Sequence, residues 1–242
     1  MLVPPSPEQK LRAGLKYLLD FSRRAKELVE KISVENLLEE GGINPYIVAS
    51  LGLKDLKEVV RLFVYRRVER SLGTSFGNVI EKVFRAFAGG ISGKQAKKLY
   101  GQWIEWWDVV VPQEKIVISI KSGPADMDAD QVRYFAQKAR EAEGHGFRPL
   151  LVITYGKAAF SVIESTLRAE KLPPEKYLRV GREAIKELLG SEDYYIKLIE
   201  ELRKKTGGVD IFELIEKKVD ELVDELKKRG FNTVEDILLG VT

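Results

Sequence analysis

Through the first third of the chain apolar residues recur every three to four positions, the spacing of helices that bury one stripe. Ser6-Pro7-Glu8 opens the first of these, a cap followed by proline at the first helical position, and Leu11, Leu15, Leu18, Leu19, Ala25, Leu28, Val29 and Ile32 carry its stripe. Ser33 predicts a short helix that stops at Gly41-Gly42, and Asn44-Pro45 predicts another ending near Gly52. A longer helix over 54–71 places Val59, Val60, Phe63 and Val64 on one side and Arg61, Arg66, Arg67 and Arg70 on the other. Ser75 then predicts the cap of a separate helix over 76–88, closed by Gly89-Gly90.

Near Trp103 the period changes. Residues 104–111 are β-rich, 112–115 (PQEK) form a turn candidate, and 116–121 (IVISIK) are β-branched and short, as strands are. Gly123-Pro124 breaks that run. A helix over 128–143, a buried strand over 149–155, a helix over 158–169, a short strand over 178–180 and a helix over 182–189 follow. Helices over 193–205, 211–229 and 233–239 complete the chain. The order is helices, then β-β-α-β-α-(β)-α, then helices. It predicts an α/β fold, a mixed sheet sandwiched by helices with N-terminal and C-terminal helical layers. The expected division is a helical region 1–74, an α/β core 75–190 and a helical region 191–242, forming one compact unit.

Composition narrows the chemistry. With 44% hydrophobic residues the chain is globular and not disordered. No apolar run approaches the ~20 residues of a membrane span, and the first residues lack the apolar core of a signal peptide, so a cytoplasmic protein without a membrane partner is expected. Zero cysteines exclude disulfides and thiolate metal sites, and a single histidine, His145, leaves little room for a His-based zinc site or a Ser-His-Asp triad. A net charge of +3 is too small to argue for nucleic acid by itself. The 32% charged residues, without cysteine, lean toward a thermophile.

The chemistry gathers in WWDVVVPQEKIVISIKSGP, residues 106–124. Side chains alternate along a strand, so Val117, Ser119 and Lys121 share one face while Ile116, Ile118 and Ile120 form the other, the expected core face. Lysine is rarely buried without a partner, and Asp108, on the preceding strand of the hairpin, lies within reach of Lys121 in a suitable register. An acid and a lysine on neighbouring strand ends are the parts of a metal-assisted hydrolysis site. The carboxylate supplies oxygen to Mg²⁺, the cation polarises a phosphate, and the lysine orients water or offsets charge on phosphorus. A surface hairpin with a solvated Asp and Lys is the ordinary alternative. Asp126, Asp128 and Asp130 follow, ahead of a helix containing Gln131; they suit metal placement and, taken singly, suit helix capping better.

Asp108 … Ser119-Ile120-Lys121 resembles the PD-(D/E)XK nuclease core, in which an acid precedes a strand ending in E-x-K, with serine here where the second acid usually stands. More specifically the chain resembles a group of type II restriction endonucleases, some of which read GG/CC-centred sites. The matching pieces are Asn44-Pro45-Tyr46, Ser75-Phe76-Gly77 with Glu81, ISIKSGP at 118–124, Gln131, and Gly181-Arg182-Glu183-Ala184 onward to Tyr195. They run in order over roughly residues 44 to 205. The resemblance implies a Mg²⁺-dependent, sequence-specific endodeoxyribonuclease, with Mn²⁺ able to substitute, acting on double-stranded DNA as a homodimer beside a cognate methyltransferase. Asp108 and Glu81 would bind the metal with the carbonyl of Ile120, Lys121 would assist the attacking water, and Gln131 would place the phosphate or Lys121. Gly77 would let another backbone approach the helix of Glu81. For Glu81 the plain alternative is a surface pair with Arg85 at i+4; Asp126, Asp128, Asp130 and Glu141 are reserve acids.

For DNA, Lys94, Lys97 and Lys98 form a basic, glycine-flanked segment suited to phosphates, and the arginine face of 54–71, Ser122 and Arg133 add to it. Trp103, Trp106 and Trp107 crowd against Asp108, either as core or, for Trp103, as a surface for sugar or base. The stripe Leu214, Ile215, Val219, Leu222, Val223 and Leu226 serves either a dimer or its own core. Two rival functions remain open: a repair or junction-resolving nuclease of the same fold, and a DNA-binding protein with a decayed site, which Ser119 keeps in view.

Overall fold

The computed structural model describes residues 5–39, 43–123, 126–156, 160–207 and 210–240. Its helices are α1 (Pro7–Glu30), α2 (Val34–Leu38), α3 (Pro45–Ser50), α4 (Leu56–Ala88), α5 (Gly93–Tyr100), α6 (Ala129–Gly144), α7 (Phe160–Ala169), α8 (Pro174–Tyr177), α9 (Arg182–Leu189), α10 (Asp193–Thr206), α11 (Ile211–Lys228) and α12 (Val234–Gly240). Its strands are β1 (Val109–Val111), β2 (Ile116–Lys121), β3 (Arg148–Ile153) and β4 (Leu178–Val180). Mostly helical, with a mixed sheet, the fold is of the α/β class. Among the described residues no helix is long and apolar enough to cross a membrane. Gly41, Gly42, Pro124, Ala158 and Ala159, on which parts of the sequence reading fell, lie outside the described residues.

The caps predicted at Ser6 and Asn44 form. Ser6 and Gln9 exchange bonds at the start of α1, Gln9 N–H to Ser6 Oγ at 3.3 Å and Ser6 N–H to Gln9 Oε1 at 2.8 Å. Asn44 Oδ1 accepts from the N–H groups of Tyr46 and Ile47 ahead of Pro45. The predicted break before Ser75 does not occur: α4 runs unbroken for 33 residues. The hydroxyls of Thr74 and Ser75 donate back to Arg70 O (3.0 Å) and Ser71 O (2.8 Å), so they satisfy themselves inside the helix and cap nothing. The apolar period continues past them through Val79, Ile80, Val83 and Phe87.

Two compact units emerge, one of residues 20–75 and 206–242, the other of residues 1–19 and 76–205. In the first, Val60, Phe63 and Val64 of α4 share a core with Val219, Leu222 and Leu226 of α11. The α11 stripe is therefore spent on its own unit. Arg61 is spent as well, holding both carboxylate oxygens of Glu216 at 2.8–3.1 Å.

The second unit holds the sheet, in the order β1-β2-β3-β4. β1 is antiparallel to β2 with Val109 opposite Ile118; β2 and β3 are parallel with Lys121 opposite Ile153; β3 and β4 are parallel with Ile153 opposite Val180. Both faces of β2 are buried from Ile116 to Ile120, not the isoleucine face alone. A central strand with a parallel neighbour is covered on both sides, and Val117 joins Val132, Phe135 and Leu151 in the core on the α6 side. Of the β-rich stretch 104–111 only Val109–Val111 is strand; Gln102–Trp106 is a 3-10 turn. Ile104 and Trp107 are both fully buried and stand three apart, the repeat of that turn rather than of a strand.

The sheet is joined to α4 through Gly89-Gly90. Ile91, just beyond, exchanges two 2.8 Å backbone bonds with Val110 of β1. A Cβ on Gly90 would lie 2.5 Å from Val110 O, whereas a Cβ on Gly77 meets nothing within 4 Å. The close backbone approach expected at Gly77 is made at Gly90. Gly90→Ala should therefore destabilise the protein by about 2–3 kcal/mol, and Gly77→Ala should stabilise it by about 0.5–1 kcal/mol through helix propensity. Urea denaturation of the two variants beside the parent protein measures both signs; destabilisation by Gly77→Ala would mean that the position is packed after all.

Candidate active site

The β1–β2 pairing ends at Ile118, and β2 runs on for three more residues to Lys121. Asp108 N–H still bonds Ile118 O at 3.1 Å. Ile120, whose backbone groups point to the same side as those of Ile118, then has no strand opposite it. The Asp108 carboxylate fills that place: its Oδ2 accepts the Ile120 N–H at 2.7 Å. The carbonyl of Ile120 faces the same open edge, by the same alternation.

Burial is the main influence on Asp108 and pushes its carboxyl up, from an ordinary 3.8 to about 6. The Ile120 N–H works in the opposite direction. The negative charge of Glu81 raises it further, while the Lys121 ammonium and the Ser119 hydroxyl favour the ionised form. Glu81, Asp108, Ser119, Ile120 and Lys121, distant in sequence, thus meet electrically at one end of the sheet. Glu81 arrives there because α4 feeds through Gly90 into the strip beside β1. It makes no salt bridge among the described residues, so the surface pair with Arg85 does not form. Lys121 is half-buried at the end of β2. Ser119, 3% exposed, lies opposite Asp108 when the β1–β2 register is extended by one residue.

The other predicted residues lie apart from this group or are engaged elsewhere. Gln131 stands exposed in the first turn of α6, its N–H held at 2.8 Å by Asp128, the cap of that helix. Asp126 accepts from Gly123 N–H (2.9 Å) and from the Ser122 hydroxyl, so Ser122 is turned inward to its own loop. Arg133 is paired with Asp130, Lys138 with Glu141 at 2.8 Å, and Lys97 with Glu105 at 2.8 Å. Lys94 and Lys98 are exposed on α5. One face of Trp103 is covered by His145, the two rings being 4.3 Å apart and nearly parallel, and Trp107 is buried against Phe135. A cleft of about 710 Å³ is lined by Arg168, Arg179, Lys186 and Glu187 beside β4; none of the site residues lines it, and Arg179 and Glu187 are bonded to each other.

Sequence reasoning missed Thr154. Its N–H donates to Lys121 O at 3.1 Å and its hydroxyl to Ser122 O at 2.6 Å, which fixes the chain just after Lys121. The only signal was a threonine at the end of a buried apolar run.

Among the described residues no three His, Cys, Asp or Glu side chains form a metal cluster. The donors present nevertheless fit a hard cation. Mg²⁺ takes one or two carboxylates and completes its shell with water and substrate phosphate; here two carboxylates and one peptide carbonyl are available, and the raised Asp108 is a charge in want of a counterion.

That charge carries a cost with a definite pH window. The unfolded carboxyl ionises near its ordinary value and the folded one near 6, so stability declines as pH rises from about 4 to 6, by about 3 kcal/mol, and stays reduced above. Asp108→Asn keeps an acceptor for Ile120 N–H and removes the charge. It should raise the melting temperature at pH 8, by the equivalent of about 1–3 kcal/mol, and leave it unchanged at pH 4. Millimolar Ca²⁺ should raise that of the parent protein at pH 8 and not that of the variant. Equal melting curves for the two proteins at both pH values would show that Asp108 is not destabilised by its surroundings.

No curated protein matches the sequence. The family model described as type II restriction endonuclease EcoO109I matches residues 15–209, a span that contains every residue of the site above. The chain belongs to this family of type II restriction endonucleases.

Proposed function

We propose that this protein is a Mg²⁺-dependent, sequence-specific endodeoxyribonuclease of the PD-(D/E)XK type, hydrolysing phosphodiester bonds in double-stranded DNA. The observation that carries the reading is the meeting of Asp108, Glu81 and Lys121 at one sheet end, with Asp108 pushed up to about 6. Asp108, Glu81 and the carbonyl of Ile120 are the groups that would hold the cation. When bound, Mg²⁺ or Mn²⁺ supplies a Lewis acid for the scissile phosphate and a more acidic water. Lys121, on the same strand end, orients the attacking water and offsets negative charge gathering on the phosphate. The Ser119 hydroxyl favours the ionised form of Asp108 against its burial and in this reading is no metal ligand. Gln131, exposed in the first turn of α6, is the residue we assign to the phosphate. Lys94 and Lys98 on α5 supply exposed cations for the DNA backbone. A two-fold DNA site calls for two copies of the chain, and the host's own sites need a methyltransferase of the same specificity. Such an enzyme works in the cytoplasm, where incoming DNA is met.

Lys121→Ala and Asp108→Ala should each lower plasmid cleavage in Mg²⁺ by at least about 100-fold, with DNA binding in Ca²⁺ still detectable. The parent protein should give discrete fragments from a linear plasmid. Undiminished cutting by either variant would sink the site assignment. Cleavage of branched or damaged DNA alone would replace sequence specificity by structure specificity, and tight binding without cutting in Mg²⁺ or Mn²⁺ would identify a decayed site.

A further inference from the structure

β3 ends at Ile153, opposite Lys121, and the next two side chains leave the sheet at the site's edge. Thr154 is tied down by the two bonds described above. Tyr155 is not: it is 57% exposed, and its hydroxyl makes no hydrogen bond among the described residues. Its ring lies across Gly123, two residues beyond Lys121. A Cβ on Gly123 would stand 2.7 Å from the Tyr155 hydroxyl oxygen and 2.9 Å from the ring carbon that bears it. Gly123 is itself held in place by its N–H bond to Asp126. The backbone after Lys121 is thus fixed on both sides and left bare beneath a phenol.

The carboxyl ends of parallel strands are where open α/β sheets receive ligands. At that edge here stand Lys121, the carbonyl of Ile120 and the tyrosine hydroxyl, a neutral donor on a ring with few rotatable bonds. Tyrosine is one of the side chains that donates to phosphate oxygens in DNA complexes. A hydroxyl without an internal partner, lying against the backbone two residues beyond Lys121, suits a tetrahedral anion better than a base edge.

We propose that the Tyr155 hydroxyl donates a hydrogen bond to a non-bridging oxygen of the DNA phosphate held at the Asp108–Lys121 site, and that Gly123 is glycine so that the ring can lie there. The inference rests on the nuclease reading above. Tyr155 is then a substrate-contacting residue of the reaction.

The test uses the full chain and supercoiled plasmid in Mg²⁺. Tyr155→Phe should lower kcat by about 10- to 100-fold, the loss of one hydrogen bond to a charged group, with KM and the melting curve little changed. Gly123→Ala pushes the ring aside without removing the hydroxyl, and should show a similar loss. Because both changes remove one contact, the double variant should be no slower than the slower single one. Cutting by Tyr155→Phe at the parent rate overturns the proposal, as does a double variant whose losses multiply. A parent protein that cuts no DNA fails the nuclease reading and this inference with it; a parent that cuts beside an equally active Tyr155→Phe fails this inference alone.

Discussion

The hydrogen bond from Ile120 N–H to the Asp108 carboxylate is the constraint around which the site is arranged. β1 is too short to pair with all of β2, and a backbone donor in a buried strand cannot be left bare. A side-chain carboxylate finishes the ladder in place of a peptide carbonyl. It is thereby held against the strand end and partly removed from water, and the same placement pushes its pKa up to about 6. One contact completes the sheet's ladder, and the burial that comes with it raises the carboxyl's pKa.

Two glycines carry neighbouring elements to that contact. Gly90 lets the chain leaving α4 pass against Val110, which brings Glu81 into the field of Asp108. Gly93 does the same for α5: its N–H donates to Trp107 O at 3.0 Å, and a Cβ there would lie 2.4–2.7 Å from the carbonyls of Trp107, Ile104 and Glu105. The exposed lysines of α5 are therefore carried on a helix docked to the peptide just before Asp108. A side chain at either glycine would move backbone, and backbone displaced next to Asp108 moves the carboxylate.

The sequence was legible where local rules and tertiary context agree. The strand ending at Lys121, the capping role of Asp128 and the helical stripes of α1 and α11 all follow from period and cap chemistry, and they are found. Reading failed where a side chain had a second way to be satisfied. Ser75 has the composition of a cap, yet its hydroxyl bonds backward into α4 and the helix passes through. Ile104 to Trp107 is rich in β-formers, but two large side chains three apart both had to reach the core, and the 3-10 turn delivers them. The alternation that assigned the core to the isoleucine face of β2 is valid geometry; it missed that the Val117 face is covered too, on the α6 side. Asp108 and Lys121 were visible as a pair because a hairpin brings them together locally. The burial that shifts Asp108 was not visible, since it is set by elements from across the chain.

Serine at position 119 follows from the same electrostatics. Ser119 is 3% exposed and lies beside a carboxylate already pushed up by burial and by Glu81. An acid in its place would set a third negative charge in a poorly solvated spot, where like charges raise one another's pKa and leave at least one group protonated at neutral pH. A serine hydroxyl donates instead, and draws Asp108 back toward its ionised form. If Glu81 supplies the second carboxylate from a helix, an acid on the strand is not only unnecessary but would work against the ionisation of Asp108. Under the proposed reading, a serine at this position suits a site whose second acid is Glu81.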